Sequence, residues 1–204
     1  MKIITALKAQ EKNKRRVSVF LDGEFYCGLG LFTVMSNRLK VGDSVDEKTL
    51  AALAEQDDYS SALDNSLNYI SKSMHTKMQI ILHLKKKGYD NKVIARVIDK
   101  LTEYGYVDDG LFARKYANEK SRGEGKRKIA AMLRAKGVDP KVYEEILENE
   151  IDEDEGCMAV AVKYLKNRPL DRELKQKCYR YLLGKGFDFD VAKSTMDKLS
   201  ETED

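Results

Sequence analysis

A short pattern of residues recurs three times along the chain at a constant spacing. Leu84 to Asp90 has the form L-x-x-K-G-x-D, and the same form returns at Leu133 to Asp139 and at Leu182 to Asp188, 49 residues later each time. A period of roughly 20 to 50 residues indicates one supersecondary unit that is stacked several times. Because such stacks usually serve as extended binding surfaces, the repeat favours a protein that binds a long partner over one with a catalytic pocket.

The same offset aligns further positions without any gap. Most of the aligned residues are apolar, and one aligned set is basic in all three repeats. A chance recurrence of one short pattern would not produce this much agreement. The apolar sets are Leu67, Tyr116 and Leu165; Leu63, Phe112 and Ala161; Ile80, Ile129 and Cys178; Val93, Val142 and Val191; and Val97, Ile146 and Thr195. The basic set is Lys77, Lys126 and Lys175.

Each repeat is predicted to contain three short helices, because its apolar residues recur at steps of three and four. The glycines of the pattern, Gly88, Gly137 and Gly186, follow the second helix, where a left-handed residue is favoured. The aspartates Asp90, Asp139 and Asp188 open the third helix as N-caps, and Pro140 takes the first helical position. The pattern itself is therefore explained by folding, so we expect function on the outer faces.

The first part of the chain has a different periodicity. Ile3 to Leu7 and Val17 to Leu21 are short β-type runs, and Asp22-Gly23 is typical of a type I′ hairpin turn. Residues 47 to 55 are predicted to form a short linking helix. The fold class is thus mainly α, with three tandem three-helix repeats of about 49 residues after a small N-terminal β-meander. The predicted domains are residues 1–58, 59–107, 108–155 and 156–204.

Charge is distributed unevenly, although the formal net charge is only +3. Arg114 to Lys141 holds ten basic residues against three acidic ones, whereas Glu144 to Glu155 holds eight acidic residues and no basic one. The basic side is either a surface that follows a polyanion or an ordinary solvated helix face, and the sequence leaves both interpretations open. If it binds, charges such as Lys126, Arg127 and Lys128 are expected to contribute to association and little to stability.

No set of residues predicts catalysis or a cofactor. The three cysteines share no C-x-x-C spacing and are expected to be reduced thiols, and His75 and His83 lack a third metal ligand. Gly123-Glu124-Gly125-Lys126 lacks the rest of a P-loop and is expected to connect two helices. We therefore expect neither metal nor cofactor, no enzyme activity, no membrane segment and a cytoplasmic location.

One string supports a resemblance to a known family. Gly105-Tyr106-Val107-Asp108-Asp109-Gly110-Leu111-Phe112-Ala113-Arg114-Lys115-Tyr116 is similar to the G-Y-[LIV]-[DN]-D-x-x-[FY]-A-x-x-[YF] signature of the RecX family of bacterial recombination regulators. The repeated K-G steps and the N-terminal β segment agree with it. The chain departs from the family at Tyr69-Ile70-Ser71-Lys72-Ser73, where many members carry an Arg, and Arg168, two periods after Ile70, is a candidate for a similar role.

The resemblance implies a regulator of homologous recombination, DNA repair and the SOS response. It implies that the protein binds RecA and the RecA filament on single-stranded DNA, inhibits the ATPase, strand-exchange and coprotease activities of RecA, and acts as a monomer with a possible weak contact to DNA. The alternative, from the repeats and their basic helices alone, is a free-standing DNA-binding protein of helical-repeat type. Under either function the candidate binding residues are Lys77, Arg114, Lys115, Arg122, Lys126, Arg127, Lys128, Arg134, Arg168, Arg172 and Lys175.

Overall fold

The N-terminal segment folds as a small antiparallel sheet. The computed structural model describes residues 1–11, 13–166, 168 and 171–201. Strands β1 (Lys2–Ala9), β2 (Arg16–Leu21), β3 (Glu24–Gly30) and β4 (Ser44–Val45) lie in the order β3-β2-β1-β4, with a short helix α1 (Leu31–Ser36) after β3. Alternate residues of β2, namely Val17, Val19 and Leu21, are buried on one face, as the period of a half-buried strand requires. The predicted β-meander is confirmed, and α1 and β4 are additions to it.

The hairpin between β2 and β3 has the predicted turn. Both central residues have positive φ, 49° at Asp22 and 93° at Gly23, as a type I′ turn demands. Asp22 also accepts a hydrogen bond at 3.0 Å from the backbone N–H of Ile3 on β1. The turn therefore contacts β1 as well as the two strands that it connects, β2 and β3.

The prediction of a short separate helix over residues 47–55 is wrong. A single helix α2 (Glu47–Ile70) of 24 residues runs through the predicted domain boundary at residue 58. No proline or glycine interrupts it, and the acids near the boundary bind the sheet: Asp57 accepts a hydrogen bond at 2.8 Å from the N–H of Gly30, and Asp58 pairs with Arg16 at 2.8 Å. One half of the helix thus covers the sheet while the other half starts the first repeat.

Three helices form each repeat, as predicted. The aligned leucines Leu84, Leu133 and Leu182 are all 0 % exposed, so the 49-residue period is a period of the core. In the first repeat, the end of α2 is followed by α3 (Lys77–Lys86) and α4 (Asn91–Glu103). The second repeat consists of α5 (Asp109–Lys120), α6 (Lys126–Ala135) and α7 (Pro140–Glu150), and the third of α8 (Asp154–Leu165), α9 (Arg172–Gly184) and α10 (Phe189–Glu201).

The three glycines and two of the three aspartates of the pattern cap their helices as predicted, whereas the Asp188 carboxylate lies 3.4 Å from Arg127. Gly88, Gly137 and Gly186 have positive φ values of 88°, 78° and 88°, in the left-handed region that favours glycine. The side chains of Asp90 and Asp139 accept hydrogen bonds from the first turns of α4 and α7 at 2.8 and 2.9 Å. These caps fix where each helix begins and ends, and so they fix the length of each repeat.

By compactness the chain divides into two units. One contains Met1–Ser73 and Ile81–Tyr104, and the other contains Met74–Ile80 and the described residues from Gly105 on. The start of α3 therefore packs in the second unit and its remainder in the first. Across the described ranges, the helices all fall short of the length and apolar character that a bilayer span requires.

Candidate functional site

Hydrogen bonds to main-chain carbonyl groups join the repeats inside the second unit. The backbone N–H of Gly125, at the start of α6, donates to the carbonyl of Lys185 at 3.0 Å, and the Thr76 hydroxyl, before α3, donates to the carbonyl of Lys136 at 2.7 Å. These contacts are equivalent, because Thr76 and Gly125, like Lys136 and Lys185, are one period apart. The K-G turn of each of these repeats is therefore seated on the second helix of the repeat before it.

An acidic side chain completes each joint. Asp109 accepts a hydrogen bond at 2.9 Å from the N–H of Lys77, and Glu153 accepts one at 2.5 Å from the N–H of Lys126. Each acid satisfies an unpaired donor at a helix N-terminus, where negative charge is favoured. Asp108 caps α5 by accepting a 2.9 Å hydrogen bond from the N–H of Leu111, so Asp108 serves its own helix and Asp109 serves a neighbouring one.

Glu153 is buried at its joint, with only 5 % of the residue exposed. Burial raises the pKa of the Glu153 carboxyl, and the nearby charge of Asp188 raises it further, while the hydrogen bond from Lys126 acts in the opposite direction. A carboxyl whose folded-state pKa lies above its unfolded value costs stability when it is ionised, and that cost is relieved as the pH falls through the folded-state pKa.

Glu153→Gln is therefore expected to raise the melting temperature at pH 8, because the amide oxygen can still accept from Lys126 without carrying a charge. The gain should shrink in an acidic buffer, because the carboxyl of the parent protein takes up a proton as the pH falls through its folded-state pKa. Glu155→Gln, at an exposed position of the same acidic run, is the matched control and should show no such gain. If Glu153→Gln is the less stable protein at both pH values, the carboxylate charge stabilises the joint instead.

Several of the predicted binding residues have structural partners. The Arg127 guanidinium donates to the carbonyl of Phe187 at 2.5 Å, lies 3.4 Å from the carboxylate of Asp188 and covers the ring of Phe189 at 4.9 Å. Lys128 pairs with Glu124 at 2.8 Å. Arg127 therefore connects the second and third repeats through these contacts, and its contribution to stability stays a prediction.

Other predicted residues form pairs within one repeat. Arg114 binds both carboxylate oxygens of Glu150 through its Nε, at 2.8 and 3.1 Å. The Arg134 Nε donates to the Tyr143 hydroxyl at 3.3 Å. The Lys175 ammonium donates to the Ser200 hydroxyl at 2.9 Å and lies 3.4 Å from Asp197. Part of the positive charge seen in the sequence is therefore offset by local acids.

Some predicted residues keep an uncompensated charge. The side chains of Lys115, Arg122 and Arg172 are exposed and make no ion pair or hydrogen bond with any described residue. Lys77 and Lys126 are half-buried, and only their backbone N–H groups make the bonds described above. These side chains do not converge on a single site. Arg122 is one of the residues that line a cavity.

That cavity is lined mostly by residues of the third repeat. Its volume is about 680 Å³, within the range of roughly 300 to 1,000 Å³ that ligand pockets occupy. The loop between α5 and α6, the helix α8 and the helix α9 form its walls. Five basic residues, Arg122, Lys163, Lys166, Arg168 and Lys185, line it together with Gly123, Ala159, Val160, Tyr164 and Tyr181, and none of the described acidic residues does so. We call it the basic-tyrosine groove.

Two stacked tyrosines lie in the basic-tyrosine groove. The ring centroids of Tyr164 and Tyr181 are 4.5 Å apart and the rings are inclined by 25°. The Arg168 guanidinium lies 5.8 Å from the centre of the Tyr164 ring, and the Lys185 ammonium lies 5.7 Å from that of Tyr181. The sequence prediction included Arg122 and Arg168 but missed Lys163, Lys166 and Lys185. The signal for them was the alternation of basic residues with tyrosine in Lys163-Tyr164-Leu165-Lys166.

The cysteines are free thiols, as predicted. Burial raises the pKa of Cys27 and that of Cys178 to about 11, and it also raises the pKa of Cys157. A thiol with a raised pKa is protonated at neutral pH and is a poor nucleophile. These residues therefore serve packing in the structure.

Comparison with known protein families gives matches along most of the chain. Residues 2–46 match the regulatory protein RecX N-terminal domain, and residues 62–101, 108–147 and 152–196 match the first, second and third three-helix domains of RecX. Each of the last three matches covers one of the three-helix repeats.

Individual relatives agree with this result. Regulatory protein RecX of Clostridium tetani is 36 % identical over 96 % of this chain and 94 % of its own, and that of Bacillus subtilis is 32 % identical over 100 % of this chain and 80 % of its own. A crystal structure of regulatory protein RecX superposes with a TM-score of 0.68 at 26 % identity, covering 97 % of this chain and 100 % of its own. A crystal structure of RecX from Lactobacillus salivarius, at 24 % identity, shares the fold with a TM-score of 0.66, covering 71 % of this chain and 98 % of its own. With its three repeats, its N-terminal sheet and this similarity over nearly its full length, the chain belongs to the RecX family of regulatory proteins.

Proposed function

We propose that the protein regulates homologous recombination and the SOS response by binding RecA and RecA filaments on single-stranded DNA. In this proposal it inhibits the ATPase, strand-exchange and coprotease activities of RecA, and it acts as a cytoplasmic monomer without enzyme activity of its own. The observation that carries the proposal is the match of all four RecX domains in order along the chain.

The physical design of the repeats supports a binding role. The second and third repeats each have a small core of their own, and each joint of the second unit uses a main-chain carbonyl as acceptor, which leaves many outward side chains available for a partner. Lys115 and Arg172 lie on different repeats, exposed and without a charge partner among the described residues. In the proposal these outward charges meet the filament, whereas Arg114, Arg127 and Arg134 mainly hold the protein together.

Inhibition requires that the protein prefer one state of the filament. A bound ligand changes the turnover of a filament only if it binds one filament state more tightly than another. A chain of three joined repeats can have such a preference. Its repeats can all contact the filament at once only when the spacing between filament subunits matches the spacing between the repeats.

The direct test is an ATPase assay with RecA on single-stranded DNA. Adding the full-length protein is expected to slow ATP hydrolysis and strand exchange, while the protein alone hydrolyses no ATP. Lys115→Glu combined with Arg172→Glu should weaken the inhibition, because both changes place negative charge where the proposal requires positive charge. A rate of hydrolysis that stays constant up to a large excess of the protein would contradict the proposal.

The second candidate is a DNA-binding protein that acts without RecA, and the basic-tyrosine groove favours it. Binding to DNA phosphates releases counterions, so the affinity should then fall steeply as salt is raised, with RecA absent. Under the leading proposal, the affinity for the RecA filament should exceed the affinity for the same DNA without RecA. Anisotropy titrations with and without RecA at two salt concentrations distinguish the two functions.

A further inference from the structure

We propose that the basic-tyrosine groove is a binding site for single-stranded nucleic acid, in which cationic side chains hold the phosphates and a tyrosine ring stacks on a base. The inference does not depend on the proposed regulation of RecA, because the site lies wholly on this chain. It is argued from the charges, the rings and the backbone of the groove.

The charges of the groove are largely uncompensated. Of its five basic residues, Lys185 is neutralised by Glu124, whose carboxylate lies 3.3 Å from the lysine ammonium. Burial opposes ionisation of the Glu124 carboxyl, but the ammonium groups of Lys128 and Lys185 outweigh it and lower the pKa of that group. Arg122, Lys163 and Lys166 are exposed and have no acidic partner among the described residues. Among the described residues, Arg168 bonds to neutral carbonyls, those of Leu165 and Tyr164 at 2.9 and 2.8 Å, and so keeps its charge.

The rings of Tyr164 and Tyr181 add an aromatic surface to the groove, which a site that binds only phosphate would not need. Tyr181 is 39 % exposed although it lies beside Leu182, which is fully buried in the core. The stacking of Tyr181 on Tyr164 and the attachment of Arg168 to the end of α8 hold the rings on rigid helices. An exposed aromatic surface among cations is the usual arrangement for binding unpaired bases, which stack on aromatic side chains irrespective of their sequence.

The same combination favours a single strand over the other anionic polymers. In a duplex the base faces are covered by their neighbours, so the tyrosines would gain nothing from them. An acidic peptide would satisfy the cations but would leave the rings without a planar partner. The groove therefore distinguishes its ligands by the presence of an exposed base.

The backbone at Lys166 gives the sharpest test. Lys166 caps α8 in the left-handed conformation, with φ of 51°, which is strained for a residue that has a Cβ atom. Lys166→Gly removes this strain together with the charge. The variant should therefore fold at least as well as the parent protein while it binds nucleic acid more weakly, so that a loss of binding cannot be ascribed to a loss of folding.

The experiment measures fluorescence anisotropy of a labelled oligo-dT of about 12 nucleotides, a length within the range of roughly 4 to 16 that one small fold covers. It uses the full-length protein without RecA. Tyr181→Leu is expected to weaken binding by about 5- to 100-fold, the usual loss for one stacked base, whereas Tyr181→Phe keeps the ring and the affinity. Lys163→Glu and Lys166→Gly should each weaken binding as well. Lys193→Glu, an exposed lysine of the same repeat outside the groove, is the charge control and should have little effect.

Competing probes give the outcomes that overturn the proposal. An abasic oligonucleotide of the same charge, a duplex of the same length and a polyglutamate peptide are all expected to bind more weakly than oligo-dT. Equal binding of the abasic strand or of polyglutamate, or no effect of Tyr181→Leu, would show that the groove is not a base-stacking site. An effect of Lys193→Glu as large as that of Lys163→Glu would show a general electrostatic attraction instead. In the ATPase assay with RecA, loss of oligo-dT binding with full inhibition would leave the proposed function standing without the groove.

Discussion

Replacing Gly137 by alanine is expected to lower the free energy of unfolding by about 3 kcal/mol. Two costs add at this position. The backbone is left-handed, with φ of 78°, which costs a residue with a Cβ atom about 1 to 2 kcal/mol. The new Cβ would also lie 2.4 Å from Cβ and 2.5 Å from Cγ of Met78, and an overpacked contact of this kind costs typically another 1 to 3 kcal/mol.

Gly88→Ala is the matched control for this prediction. Gly88 occupies the same place in the first repeat, with φ of 88°, but a Cβ there would have no heavy atom within 4 Å. It should therefore show the backbone cost alone, about 1 kcal/mol. Urea unfolding followed by circular dichroism measures both variants. Equal losses would mean that Met78 moves aside freely and that the seat of the K-G turn on α3 is soft.

Replacing Phe187 by alanine is expected to have the largest effect, about 3 to 5 kcal/mol. Phe187 is 0 % exposed and belongs to the core of the third repeat. A loss of this size is a large share of the roughly 5 to 15 kcal/mol that stabilises a typical domain. The third repeat should then unfold at physiological temperature and take the basic-tyrosine groove with it, since Tyr181 and Lys185 flank the same turn.

Phe189→Ala is its control, two residues further along the chain. Phe189 is 59 % exposed and loses mainly the contact with Arg127, a cation–π interaction of about 0.5 to 1 kcal/mol. Thermal melts and the near-ultraviolet signal of the tyrosines report both changes. A Phe187→Ala protein that melts within 2 °C of the Phe189→Ala protein would contradict this account of the core.

The features that could be predicted from the sequence are those with local causes. The left-handed glycine after α6, the Asp139 cap that follows it and the Asp22-Gly23 hairpin each depend on a few adjacent residues, and each is present in the structure as expected. The 49-residue period made these local signals mutually consistent. The first helix of the first repeat was misjudged at its start, because the contacts that extend α2 come from a sheet whose position is a tertiary property.

The candidate site was harder to predict for a related reason. A sequence shows which residues are charged but not which residues they contact. The contacts of Arg127 could not be predicted, because its partners Phe187 and Asp188 lie about 60 residues further along the chain. The groove likewise combines Arg122, Lys163 and Tyr181 from three separated segments. Only the alternation of basic residues with tyrosine near Lys163 was visible in advance, and an alternation of that length is weak evidence without the fold.

The joints of the second unit have a consequence for how such a chain can change in length. Their acceptors are the carbonyl groups of Lys136 and Lys185, and a carbonyl is supplied by any residue in the same conformation. An inserted or duplicated segment of one period would therefore bring both halves of its own connection with it, provided that its glycine and its capping acid are kept. Proteins of this construction can thus gain or lose reach in whole-repeat increments while their outward side chains diverge independently, one repeat at a time.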